Sequence, residues 1–216
     1  QVASVKVFGW NSFALKLPEA LAGTLSVPLL YDAVRRAVGR PAALASATVL
    51  ALAPESVLTA RSDTMDSVMM LLVIAALWLT VRATKVPNNR RSVVLVGVAL
   101  GLAFNVKLLE GLIVAPALLV LYALAAQSGW RRKLADVLVA SLVFVAVALS
   151  WAVVASLAPG SHPWSIGSSD GTVWNAMFVF NGVSRVSAAA TSVKPGGPGL
   201  LRLVQSSGWD YNVLFG

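Results

Sequence analysis

The sequence has no cysteine, one histidine and few charged residues, and each shortage excludes a class of protein. Without cysteine there is neither a disulfide framework nor a thiolate metal site. Charged residues make up 12% of the chain, against about 25% in an ordinary soluble domain. No phosphate-binding glycine loop, zinc-protease helix or dinucleotide fingerprint occurs. The net charge is +8, but no helix of the sequence has a basic, polar face, which excludes a nucleic-acid partner.

Hydrophobic residues make up 57% of the chain and lie in long blocks. A helix needs about 20 residues to cross a bilayer, and its backbone must be hydrogen-bonded internally. Six segments approach that length, at 17–38, 41–59, 66–82, 92–106, 108–126 and 134–157. The pattern predicts an all-α integral membrane protein with about six transmembrane helices. Its predicted parts are an extracytoplasmic juxtamembrane segment (1–16), a transmembrane domain (17–157) and an extracytoplasmic loop region (158–216).

The distribution of lysine and arginine predicts the orientation of the chain. Three alternate connections carry most of the basic residues: Arg35, Arg36, Arg40, Arg82, Lys85, Arg90, Arg91, Arg131, Arg132 and Lys133. The positive-inside rule makes these connections cytoplasmic. The opposite, extracytoplasmic side carries the others: Lys6, Lys16, Arg61, Lys107, Arg185, Lys194 and Arg202.

The candidate functional residues lie on that extracytoplasmic side, and the first group is Arg61-Ser62-Asp63-Thr64-Met65-Asp66. Asp63 and Asp66 are three residues apart, so they could share a face of the first turn of a helix. Such a pair could bind a divalent cation or an amino sugar, or one carboxylate could act as a base. Acidic residues also favour helix N-termini for capping alone, and the sequence weighs the two interpretations evenly.

The second group is Lys107 with Glu110, between two apolar segments that no flexible loop separates. A lysine held there could bind a lipid phosphate as a point charge. The alternative is an ion pair with Glu110 at i, i+3 that offsets part of the burial cost.

Several stretches resemble one family of membrane enzymes. They are 5–9 with KLPEALAG (16–23), TARSDTMDS (59–67), FNVK (104–107), 166–169 and 180–183. The chain resembles the GT-C glycosyltransferases, in particular the bacterial branch related to protein O-mannosyltransferases and lipid A aminoarabinose transferase. The resemblance spans nearly the whole chain.

The resemblance implies transfer of a sugar from a polyprenyl-phosphate carrier to a protein, lipid or glycan acceptor, at the extracytoplasmic face of a bacterial plasma membrane. It assigns Asp66, with Asp63 beside it, to catalysis and Lys107 to binding of the donor phosphate. Arg61 and Glu110, which lie near them in the sequence, are also expected to bind substrate. The family's principal catalytic acid and its Lys-Pro-Pro motif are not in the sequence. The chain is therefore expected to be an internal fragment, inactive alone. No cofactor is implied, although carboxylates without His or Cys could hold a weakly bound, hard divalent cation.

Two other functions compete with this one. A fragment of a polytopic membrane transporter would explain the helices, but it predicts repeated broken helices near the membrane midplane. A non-enzymatic scaffold would not explain the presence of the acidic segment and Lys107.

Overall fold

The computed structural model describes residues 1–86, 88–158, 164–165 and 167–183. The chain divides into two compact units, 1–158 and 159–216. The described part of the first unit is helical, with a 3-10 turn (Leu108–Leu112) between its sixth and seventh helices. The helices are α1 (Val2–Phe8), α2 (Ser12–Ala37), α3 (Arg40–Leu52), α4 (Pro54–Arg61), α5 (Asp66–Lys85), α6 (Arg90–Lys107), α7 (Ala115–Ala125) and α8 (Trp130–Leu157).

Among the described residues, four helical stretches are long and apolar enough to cross a membrane: Ser12–Ala37, Asp66–Lys85, Arg90–Leu112 and Trp130–Leu157. There is a fifth if α3 and α4, which are bent by 54°, form one span. The prediction of an all-α integral membrane protein is confirmed. The predicted count of six spans is not.

The predicted helix 41–59 is interrupted where α3 meets α4. Ala53 takes an extended conformation (φ −61°, ψ 123°), and Pro54 begins the next helix. A residue before proline is disfavoured in the helical region because the proline ring clashes with its backbone. The segment is apolar throughout, so its hydropathy did not reveal the break that Pro54 imposes.

The predicted helix 108–126 is wrong as a single helix. It consists of the 3-10 turn Leu108–Leu112 followed by α7, which has 11 residues. Pro116 lies in the first turn of α7, where its missing N–H would have no partner within the helix. The helix starts at Ala115 and is shorter than the roughly 20 residues that a span requires.

Helices α6 and α8 pack closely through small residues. A Cβ at Gly97 would overlap the Ala140 carbonyl oxygen, and one at Gly101 would lie 2.7 Å from the Val147 Cβ. One turn further along α6, Asn105 donates to the Val147 carbonyl at 2.8 Å. Small residues four apart let helix backbones approach closely in a membrane, and a polar side chain adds an interhelical hydrogen bond.

Side-chain hydrogen bonds link α2 and α5 at the end that the sequence predicts to be cytoplasmic. Asp32 accepts hydrogen bonds from Arg35 (2.7 Å), Arg36 (2.6 Å) and the Trp78 indole (2.7 Å). The guanidinium of Arg82 lies 4.7 Å from the Trp78 ring centroid. The single aspartate therefore binds two arginines of its own helix and one side chain of the neighbouring helix.

The described part of the second unit contains a π-helix, Asn175–Val183. Before it, hydrogen bonds from the Thr172 hydroxyl and amide and from the Ser168 hydroxyl hold the pKa of Asp170 below its usual value. The rest of the predicted extracytoplasmic loop region, including 184–216 and its three basic residues, lies outside the described residues.

Candidate active site

Four ionisable side chains lie at one end of the first unit. They are Glu19 on α2, Asp66 at the start of α5, Lys107 at the end of α6 and Glu110 in the 3-10 turn. The opposite end of α5 carries basic residues, in its last turn. The 20 residues of α5 separate the two ends by about 30 Å, so this cluster and the predicted cytoplasmic charges lie at opposite ends of one helix.

Lys107 is the centre of the cluster. Its Nζ lies 2.5 Å from Asp66 Oδ1 and 3.0 Å from Glu110 Oε2. The side chains of Lys107 and Asp66 are 31% and 28% exposed, and that of Glu110 is 48% exposed. The pair with Glu110 matches the sequence-based alternative, whereas the bond to Asp66, 41 positions away, was not predicted.

The backbone after Lys107 turns sharply, and this turn brings Glu110 back to the lysine. Helix α6 ends at Lys107, and Leu108 takes a positive φ of 48°. A non-glycine residue in that region is strained, and such strain persists where surrounding contacts hold the chain in place. Gly111 then lies so close to α6 that a Cβ there would be 2.7 Å from the Ala103 carbonyl group.

Glu19 is a member of the site that sequence reasoning missed. Its side chain is 2% exposed, and its Oε2 accepts hydrogen bonds from the backbone amides of Ser67 (3.1 Å) and Val68 (3.3 Å). The available signal was a carboxylate inside an apolar segment, where ionisable residues are costly and tend to have a function. Glu19 lies in the KLPEALAG stretch that carries part of the family resemblance.

Asp63 and Arg61 do not join the cluster of Lys107. Helix α5 begins at Asp66, so the expectation that Asp63 shares its first turn is wrong; Asp63 lies in the preceding bend. The Asp63 carboxylate accepts a hydrogen bond of 2.5 Å from the side chain of Gln1. Arg61 ends α4 and lines a mainly apolar groove of about 590 Å³ between α2, α3, α4 and α5.

The arrangement offers acid–base and electrostatic chemistry. One ammonium binds two partly exposed carboxylates, and a third, buried carboxylate binds the first turn of α5. A lysine ammonium has three N–H donors, so two can bind Asp66 and Glu110 while the third remains for another acceptor. Within the described ranges, no group of three or more His, Cys, Asp or Glu side chains is placed to hold a metal ion.

Fold and site together define a helical integral membrane protein with a charged cluster at one end of its bundle. Residues 1–154 match the family described as dolichyl-phosphate-mannose-protein mannosyltransferase. The chain belongs to this family of membrane glycosyltransferases, which confirms the resemblance drawn from the sequence.

Two relatives come from Bacillus subtilis (strain 168). The chain is 30% identical over 199 residues to the protein named "Putative mannosyltransferase YkcB", an alignment that covers 92% of this chain. It is 31% identical over 192 residues to "Putative mannosyltransferase YycA", covering 88% of this chain. In both cases the alignment spans 28% of the relative's own length. No solved structure matches the chain.

Proposed function

We propose that the whole protein to which this chain belongs transfers a sugar from a polyprenyl-phosphate carrier to an acceptor at the extracytoplasmic face of a bacterial plasma membrane. The observation that carries the proposal is the Asp66–Lys107–Glu110 cluster at the end of α5 opposite its basic residues, in a chain of the mannosyltransferase family. Mannose is the sugar that the family description and both relatives' names support.

The chemistry needs a base for the acceptor and a cation for the departing phosphate. The acceptor oxygen attacks the anomeric carbon, the bond from that carbon to the carrier phosphate breaks, and the acceptor proton passes to a carboxylate. Asp66 is suited to receive the proton or to orient the acceptor. Lys107 is suited to stabilise the phosphate with the donor that the carboxylates leave unused.

The other site residues have supporting roles in this proposal. Glu110 is a second carboxylate partner of Lys107 and helps to keep the ammonium in place. Arg61, beside its apolar groove, is suited to a second contact with the carrier phosphate, because a guanidinium binds phosphate with two parallel hydrogen bonds. Asp63 is assigned to the acceptor rather than to the reacting proton, because it is exposed and lies outside the cluster.

Transfer of radiolabelled mannose from polyprenyl-phosphate mannose by the purified full-length protein tests the proposal. Asp66→Asn should lower turnover by about 10²-fold or more, the usual contribution of a positioned acid or base. It should change thermal stability little, because Glu19, not Asp66, accepts the amides of Ser67 and Val68. Glu55→Gln, at an exposed position on α4, is the matched control and should retain activity.

Two results would contradict this assignment. Absence of transfer from any polyprenyl-phosphate sugar by the wild-type protein would reject the reaction. Unchanged turnover in Asp66→Asn would reject the role of Asp66 and leave it as a partner of Lys107 only. The transporter fragment is not favoured, because the family match is to transferases, and transport of the sugar without transfer would be its distinguishing result.

A further inference from the structure

Helix α5 begins without a capping side chain of its own. Its N-cap residue is Met65, which provides no side-chain hydrogen bond. The first amides of a helix have no partner within the helix and require one from elsewhere. The Glu19 carboxylate on α2 is that partner. It accepts hydrogen bonds from the amides of Ser67 and Val68, which lie 48 and 49 positions later in the chain.

This long-range cap has a consequence for Asp66. An acidic residue at the start of a helix ordinarily turns its carboxylate to the free amides. Here the amides of Ser67 and Val68 are bonded to Glu19, and the Asp66 carboxylate bonds to Lys107, to the Thr64 side chain and to its own amide. Glu19 thus fixes the first turn of α5 against α2 while Asp66 remains directed to the end of α6.

We infer that Glu19 is a positioning residue, which acts through Asp66 rather than on a substrate. Its near-complete burial (2% exposed) and its two backbone hydrogen bonds leave it no surface for a substrate contact, but they set the place from which Asp66 reaches Lys107. The inference rests on the proposed function for the importance of Asp66. The anchoring of α5 by Glu19 is independent of that function.

Replacement of Glu19 in the full-length protein separates anchoring from a general loss of stability. Glu19→Ala removes both hydrogen bonds and should lower kcat by about 10- to 100-fold, the cost of displacing a reacting group by about 1 Å. Glu19→Gln keeps a carbonyl oxygen as acceptor and should cost at most about fivefold, because a neutral acceptor binds about half as strongly as a charged one. Glu55→Ala, at an exposed position on α4, is the control and should leave kcat unchanged.

Two further measurements test whether the effect passes through Asp66. In an Asp66→Asn background, Glu19→Ala should cause no additional loss of kcat, because residues that act as a unit are not additive. Hydrogen–deuterium exchange should be faster in the segment 66–70 of Glu19→Ala, but not of Glu19→Gln. If Glu19→Ala does not fold, Glu19→Asp, whose side chain is one methylene shorter, replaces it in both measurements.

The outcomes distinguish the inference from the proposed function. Unchanged exchange at 66–70, additive losses with Asp66→Asn, or equal damage from Gln and Ala would each overturn the positioning role. Faster exchange in Glu19→Ala together with a wild-type protein that transfers no sugar would instead reject the proposed reaction and retain the anchor.

Discussion

Lys107 has one partner that the sequence predicted and one that it did not. It forms the local ion pair with Glu110, and it also bonds to Asp66 from another helix. All three side chains are at least a quarter exposed, and partly exposed ion pairs contribute only about 0–1 kcal/mol each. Stability alone therefore gives a weak reason for this lysine, which favours a role in binding.

Replacing Lys107 distinguishes a phosphate ligand from a charge that only balances carboxylates. In the full-length enzyme, Lys107→Met should raise the KM for the polyprenyl donor by about tenfold or more, since a hydrogen bond to a charged group is worth about 1.5–3 kcal/mol. The double variant Lys107→Met with Glu110→Gln should remain impaired. The midpoint of thermal unfolding should change little, and donor-dependent initial rates provide the measurement.

Lys85→Met is the control for Lys107→Met. It removes an exposed lysine at the other end of α5 and should leave the donor KM unchanged. Recovery of the donor KM in the double variant would show that Lys107 affects donor binding only by neutralising Glu110. It would remove the phosphate-binding role from the proposal.

At the scale of helices, contacts local in the chain could be predicted and contacts between distant segments could not. Hydropathy located the apolar helices, and the spacing of Lys107 and Glu110 predicted their pair. The bonds from Asp66 to Lys107 and from Glu19 to α5 join residues 41 to 49 positions apart. Each needs the packed arrangement of helices, which periodicity does not contain.

The helix breaks were missed for a different reason, because two prolines in the sequence already indicated them. Pro54 and Pro116 stand at the starts of α4 and α7. An average over a hydrophobic window does not register that proline removes an N–H and restricts the residue before it. Proline positions should therefore be considered together with hydropathy when the ends of such helices are assigned, although they do not decide them alone, because α2 continues through Pro18 and Pro28.

The contact of α6 with α8 gives a prediction about stability at this scale. Gly101→Ala would place a Cβ 2.7 Å from that of Val147, so one helix must move. Overpacking of this kind costs about 1–3 kcal/mol. Thermal unfolding of the full-length protein in detergent should show a lower midpoint for Gly101→Ala than for wild type.

A second glycine supplies the comparison for this measurement. A Cβ at Gly129, the N-cap of α8, meets no atom within 4 Å. Gly129→Ser adds a side chain there with a capping hydroxyl and should leave the unfolding midpoint unchanged or slightly higher. If Gly101→Ala unfolds at the same temperature as Gly129→Ser, the close packing of α6 on α8 does not limit stability.

At the scale of the whole molecule, the side of the membrane on which the cluster lies decides which substrates can reach it. In the proposed reaction the lipid-linked sugar and its acceptor meet at one face only, so Asp66 and Lys107 must open to that face. The basic residues of the connection between α5 and α6 (Arg82, Lys85, Arg90 and Arg91) predict that the opposite end of α5 is cytoplasmic. Helix α5 runs from one end to the other, and its orientation therefore determines the orientation of the site.

The absence of cysteine from this chain makes the orientation of α5 directly measurable. Met65→Cys, at a residue 55% exposed next to Asp66, and Lys85→Cys, at the far end of the same helix, are introduced singly into the full-length protein after removal of any other cysteines. In intact cells, a membrane-impermeant maleimide should label Met65→Cys directly and Lys85→Cys only after permeabilisation, because the reagent reaches only the outer end of a spanning helix.

Two labelling patterns would contradict this orientation, and they do so differently. Labelling of Lys85→Cys alone would invert the bundle and place the cluster in the cytoplasm, where the proposed extracytoplasmic acceptor could not reach it. Labelling of both variants from outside would show that α5 does not cross the membrane. The chemistry proposed for Asp66 and Lys107 could survive the first result with a cytoplasmic acceptor, whereas the second would remove the spanning helix on which the position of the site depends.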